Sequence, residues 1–188
     1  MKKYFRFQKK PAGESLLETI IAITILSIIL VSVFGLLTQA LSANKDIKNR
    51  VIALNYAREG IEGVRNIRDT NWLRFSGDRR GKWLCLNSPD CTQKIETAKY
   101  KLNYSTQYSL EKKTDAFDLT NTVYEVASGS IFHRQLDLEP ETKDVCPSNN
   151  CDESRLRITS RVKWLEEGNV RTVTLETYLY DFYGRNSY

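Results

Sequence analysis

The pattern of apolar and polar positions changes character twice along the chain. From Thr19 to Asn44 no residue is charged, and the densest apolar run lies between Ile20 and Leu37. At a helical rise of about 1.5 Å per residue that run spans about 27 Å, close to the hydrocarbon thickness of a bilayer. Thr24, Ser27 and Ser32 interrupt it, but their hydroxyls can return to helix carbonyls. Next, Ile47, Val51, Leu54, Ile61, Val64 and Ile67 recur at steps of three and four, with Ala57 filling the gap. That spacing describes one face of a helix. Arg58/Glu62, Glu62/Arg65 and Arg65/Asp69 lace the polar side at helical spacings. Gly60 and Gly63 are poor helix formers, so they point to close packing or a special conformation. Together the two patterns predict a helix from about residue 15 to about residue 70, on the order of 80 Å long, with half of it projecting from the membrane.

Beyond residue 98 the period drops to two. Strand candidates cover 100–110, 122–126 and 131–138, with Ser128-Gly129-Ser130 as a tight turn between the last two. Residues 71–98 read as a polar connection with a turn at Asp78-Arg79-Arg80-Gly81, and 139–154, holding Pro140 and Pro147, as a loop. The clearest signal is a carboxy-terminal hairpin. Leu156, Ile158, Val162 and Trp164 alternate with Arg157, Thr159, Arg161 and Lys163. After Glu166-Glu167-Gly168-Asn169 the alternation resumes, with Val173, Leu175 and Leu179 on one face and Thr172, Thr174, Glu176, Tyr178 and Tyr180 on the other. An antiparallel sheet with one apolar face needs a cover. The helix stripe is the only candidate without a partner, so the predicted fold is α+β: a long amino-terminal helix packed against a carboxy-terminal antiparallel sheet.

Charge sharpens the picture at the amino terminus. The first thirteen residues carry Lys2, Lys3, Arg6, Lys9 and Lys10 and no acid, which accounts for the whole net charge of +5. The remainder is formally neutral, so the basic balance gives no reason to expect nucleic-acid binding. The basic leader favours a cytoplasmic amino terminus. Lys45, Lys48 and Arg50 on the far side weaken that bias, and Asp46 offsets one of them. Four cysteines form two tight pairs, Cys85/Cys91 and Cys146/Cys151. An even count in two short loops points to local disulfides and an oxidising compartment, with two other pairings and reduced thiols left open.

Signatures of catalysis are missing: there is no glycine-rich phosphate loop, zinc-protease motif or nucleophile elbow. The single histidine, His133, reads as a surface strand residue. Asp144, Asp152 and Glu153 match no calcium-loop pattern and read as solvated acids. The expectation is a non-enzyme with no cofactor and no metal. Tyr178, Tyr180, Tyr183 and Arg185 offer residue types enriched at contact surfaces.

Gly13 separates the basic leader from Glu14-Ser15-Leu16-Leu17-Glu18, with Glu18 alone at the edge of the uncharged stretch. This arrangement resembles the type IV prepilin signal, and Ala57-Arg58-Glu59-Gly60-Ile61-Glu62-Gly63-Val64-Arg65 looks like minor pilins and pseudopilins at the same point. The resemblance implies cleavage between Gly13 and Glu14 by a prepilin peptidase, with N-methylation of the new amine at Glu14. It implies four regions: a cleaved leader (1–13), a transmembrane and filament-core helix (14–44), an amphipathic extension (45–70) and an extracytoplasmic β-rich head (71–188). The implied role is a structural subunit of a type IV pilus-like or type II secretion filament. Its partners would be other pilin subunits, the peptidase, the assembly platform and the membrane. It would cross the cytoplasmic membrane once and then enter a cell-surface filament.

Within that resemblance, an unpaired carboxylate in lipid is expensive. Glu18 would therefore pair with the α-amine of a neighbouring subunit and fix axial register. Glu14 departs from the commonest family residue, phenylalanine. It stands four residues from Glu18, where like charges repel by a few tenths of a kcal/mol, which suits a minor subunit. Gly35 occupies the place of a helix-breaking proline in many major pilins. It weakens the helix by about 1 kcal/mol relative to alanine, predicting a soft point in the assembled form. The competing readings are a signal-anchored binding domain that forms no fibre, and a secreted one cut near Ala40-Leu41-Ser42.

Overall fold

A computed structural model describes residues 12–86, 90–142 and 154–181. The chain divides into two units, Met1–Ile47 and Lys48–Tyr188. Helix α1, Ala12–Arg74, contributes to both. The second unit adds a single-turn helix α2 (Arg79–Lys82) and strands β1 (Ala98–Tyr104), β2 (Tyr108–Lys113), β3 (His133–Thr142), β4 (Ser154–Glu166) and β5 (Asn169–Tyr180). All pairings are antiparallel and the sheet order is β2-β1-β3-β4-β5. The arrangement is α+β, one long helix and a five-stranded antiparallel sheet, as the alternation predicts.

Within the second unit the carboxy-terminal part of α1 packs on the apolar sheet face. Ile61, Val64 and Ile67 join Tyr100, Leu102, Leu136, Leu138, Leu156, Ile158 and Leu179 in the main core. Ala53 and Ala57 meet Phe132, Val162 and Trp164 in a second cluster. The buried stripe therefore begins at Ala53, nearly two turns after Ile47, where the sequence spacing starts it; Ile47 and Val51 are exposed. Small residues let the backbone approach the sheet. A Cβ on Gly60 would lie 2.8 Å from Ser160 Oγ and 2.9 Å from Leu136 Cδ2. One on Gly63 would lie 2.4 Å from Leu102 Cδ2. The glycines that weaken the helix thus allow its closest contact. Of the lacing ion pairs, Arg65–Glu62 forms at 2.6 Å, while Asp69 is taken by Arg68 at 2.9 Å.

Several strand expectations need correction. The 100–110 segment is two strands, β1 and β2, reversed at Ser105-Thr106-Gln107, a turn without glycine, proline or asparagine. The 122–126 segment is a 3-10 turn, Thr122–Tyr124, nucleated by Asn121 Oδ1 accepting from Val123 N at 3.0 Å. A side-chain cap here outcompetes β-propensity. The turn around Gly129 (φ 74°) therefore joins that segment to β3 rather than linking two strands. Asp78 caps α2 by accepting from Gly81 N at 3.0 Å, so the turn signal became a short helix. Pro140, expected in a loop, pairs with Leu156 inside β3. β1 reaches only Leu138, so Pro140 lies where β3 has no strand on its other side, a position proline tolerates. The β4–β5 hairpin turns on Glu167 (φ 50°) and Gly168 (φ 80°), the double positive φ of a type I′ turn.

The opposite sheet face is polar. Arg161–Asp137, Arg157–Glu139 and Arg155–Glu141 form a cross-strand ladder, and Arg155 stacks 5.0 Å over the Tyr178 ring. Near the start of β3 this face is roofed by the segment preceding it: Phe117 packs on Tyr124 at 5.2 Å, and Lys163 Nζ donates to Phe117 O at 2.9 Å. His133 is therefore buried, only 5 % exposed, rather than a surface residue. Its two ring nitrogens have no hydrogen-bond partner among the described residues.

Candidate functional site

The amino-terminal segment is built by an uncharged helix with internally satisfied hydroxyls. Thr24 Oγ1 donates to Ile21 O at 2.8 Å, Ser27 Oγ to Ile23 O at 2.8 Å and Ser32 Oγ to Ile28 O at 2.8 Å. Thr19 and Thr38 bond back in the same way at 2.8 and 2.9 Å. Such bonding keeps polar atoms from facing hydrocarbon unpaired. Side chains from 16 to 45 are all exposed, including every large apolar one between Ile20 and Leu37. The segment is long and apolar enough to cross a membrane. An apolar surface of that extent on all sides of a helix calls for an apolar surrounding.

Glu18 is exposed on this helix, one turn before Ala22. Gly13 and Glu14 lie in the first turn of α1; the Glu14 side chain is outside the described part. The helix runs through Gly35 without a break, and nothing lies within 4 Å of a Cβ placed there. A glycine in a helix costs propensity, and helix continues on both sides to hold it in place.

In the second unit, Cys85 and Cys91 form a disulfide with Cα atoms 5.2 Å apart. The loop is pinned at its base: Leu86 N donates to Gln93 O at 2.8 Å, and Ile95 N to Leu84 O at 2.7 Å. Asn71, buried near the end of α1, donates from Nδ2 to Cys85 O at 2.8 Å and Trp83 O at 3.2 Å. Cys146, Cys151, Asp144, Asp152, Glu153, Tyr183 and Arg185 lie outside the described residues. Among the described residues no group of three or more His, Cys, Asp or Glu side chains is placed to hold a metal ion.

One feature went unread in the sequence. Arg134 on β3 is buried, 6 % exposed, and reaches α1 through Nη1, which donates to Tyr56 O at 3.0 Å and stands 3.1 Å from Glu59 Oε2. Burial pulls its guanidinium below the usual arginine range, and the Glu59 charge opposes that pull. The signal that could have found it is parity: at period two Arg134 shares the face of Leu136 and Leu138, whereas Arg155, Arg157 and Arg161 fall opposite Leu156, Ile158 and Val162. No protein-family model, curated protein or solved structure matches the chain.

Proposed function

We propose that this chain is a type IV pilin-like structural subunit, a minor pilin or pseudopilin of a pilus-like or type II secretion filament. The observation that carries the reading is the exposed apolar helix that follows Gly13, with Glu18 its only charge between Leu16 and Asn44. An ordinary export signal would be discarded with its apolar stretch. A prepilin-type cut between Gly13 and Glu14 removes only the basic leader and keeps the apolar helix for assembly.

The mechanism is one of assembly rather than catalysis. Cleavage by a prepilin peptidase frees an α-amine on Glu14. Before assembly the helix crosses the cytoplasmic membrane once, with the sheet-bearing part outside the cytoplasm. On extraction from the membrane, apolar helices from successive subunits bundle together. Glu18 of one subunit then meets the amine of a neighbour, because a lone carboxylate in an apolar bundle requires a cationic partner. The pair selects one axial offset and disfavours others. Exposed heads remain available for contacts outside the core.

The test is intact mass and amino-terminal sequencing of the chain recovered from membranes with and without a prepilin peptidase. The expected result is a start at Glu14 only when the peptidase is present. A start at Met1 under both conditions would leave a plain membrane anchor, and one near Ala43 would indicate ordinary secretion. Either result overturns the filament reading. In a cleaved chain, Glu18→Leu should insert normally yet fail to assemble.

A further inference from the structure

The end of the β4–β5 hairpin is fastened to α1. Glu166, the last residue of β4, is buried, 6 % exposed. Its Oε1 accepts from Asn49 Nδ2 at 2.6 Å, and its Oε2 accepts from Trp164 Nε1 at 3.2 Å. Asn49 stands five residues after Asn44, where the uncharged stretch ends. Five residues reach no further than about 18 Å however the chain runs. The hairpin end is therefore held close to the point at which the chain leaves an apolar surrounding.

That end of the Lys48–Tyr188 unit is apolar and basic at once. Leu165 and Val170 stand directly opposite each other, one pair back from the turn, and are 56 % and 58 % exposed. Paired residues share a face of the sheet, so the two make one apolar spot. Lys48 and Arg50 flank Asn49 in the chain, and Arg171 follows Val170; all three are exposed. Among the described residues none of the three forms an ion pair. The neighbouring acids do not cancel them. Glu166 is turned inward onto Asn49 and Trp164, which leaves Glu167, while Lys45 and Asp46, next in the chain, offset each other. Two exposed apolar side chains alone are ordinary surface. Beside three cations, and within reach of a bilayer, they match a layer of phosphates over acyl chains. Lys48 and Arg50 thereby gain a use, although they work against the orientation bias of the basic leader.

We infer that the hairpin end docks on the anionic headgroup layer of the bilayer that holds the apolar helix. Leu165 and Val170 enter that layer, and Lys48, Arg50 and Arg171 meet phospholipid phosphates. The inference rests on the apolar helix lying in a membrane, and on neither the prepilin cut nor the filament. Because the helix already keeps the unit at the surface, docking is intramolecular in effect, and a small contact suffices.

The experiment uses the full chain in bicelles of phosphatidylcholine alone, or of about 2:1 phosphatidylcholine and phosphatidylglycerol. A trace lipid carries a nitroxide at the top of its acyl chain, and nitrogen-15 NMR reads the broadening of each backbone amide. In the anionic bicelles the amides from Leu165 to Val170 should broaden more than those of Asn49 and Ala53. Without phosphatidylglycerol that order should reverse. Lys48→Gln with Arg50→Gln, and separately Leu165→Ser with Val170→Ser, should each cut the broadening at the hairpin end at least about threefold. All four side chains are exposed, so the amide pattern of β3 and β4 should stay unchanged. Asn49 broadening more than the hairpin end in both lipids overturns the inference, because the tether alone then accounts for the proximity. Equal broadening of the hairpin end in both lipids overturns it too, since the partner would not be an anionic headgroup. Amides from Ile20 to Leu37 that escape broadening would instead remove the membrane reading on which the inference rests, and the inference with it.

Discussion

Gly63 sits where α1 comes against β1. A Cβ there would lie 2.4, 3.0 and 3.2 Å from three atoms of the Leu102 side chain, which is itself buried. Two effects oppose each other in Gly63→Ala. Helix propensity gains about 1 kcal/mol. Overpacking a well-filled core costs roughly 1–3 kcal/mol. Leu102 is buried and the closest approach, 2.4 Å, is far inside van der Waals contact, so overpacking wins. We expect Gly63→Ala to destabilise the second unit by about 1 kcal/mol, measured by urea unfolding followed through Trp72, Trp83 and Trp164, all buried. The double variant with Leu102→Ala should lose less than the two single changes together, because the added methyl fills part of the space vacated. Strict additivity would show that the two residues do not compete for one space. The closeness of helix and sheet was legible as two glycines in a helical pattern. Arg134 was legible only through its parity with Leu136 and Leu138; its partners Tyr56 and Glu59, nearly eighty residues earlier in the chain, were not.

At the scale of elements, hydrophobic alternation gave β4 and β5 almost residue by residue, since along each strand the apolar face is the more buried of the two. It failed where hydrogen bonding overrides alternation. Asn121 converts a strand-like segment into a 3-10 turn, and Ser105-Thr106-Gln107 reverses the chain without glycine, proline or asparagine. Residues 71–98 read as a polar connection because their buried members, Trp72, Trp83, Cys85 and Ile95, are scattered rather than periodic. What orders that connection is the clip at its centre: the Cys85–Cys91 bond, the two main-chain bonds across its base and the Asn71 amide. Closing so short a loop limits the unfolded chain by about 2 kcal/mol. We expect Cys85→Ala with Cys91→Ala to lower stability by about that amount. Its effect should be local. Hydrogen exchange should accelerate over residues 84–95 while β3, β4 and β5 keep their protection, since their ladders share no bond with the clip. Uniform acceleration across the sheet would make the clip part of the cooperative core instead.

For the molecule as a whole, the two units have different solvents. Every buried apolar residue among those described, from Ala53 to Leu179, belongs to the Lys48–Tyr188 unit. In the other unit, every described side chain from Leu16 to Lys45 is exposed, and the large ones are almost all aliphatic. The second unit therefore carries its own core, while the described residues of the first form none and depend on an apolar surrounding. Removing residues 1–44 should consequently release a protein soluble in plain buffer. It should unfold in one cooperative transition by circular dichroism, because Ala53, Ala57, Ile61, Val64 and Ile67 all remain to cover the sheet. The full chain, by contrast, should need detergent or membrane to stay dispersed. A truncated chain that aggregates or melts without cooperativity would mean that the helix stripe from Ala53 onward cannot cover the sheet unaided. The apolar segment would then be part of the fold rather than an appendage with its own solvent. Solubility together with a sharp transition would instead confine that segment's role to the membrane and to the contacts it makes with other chains.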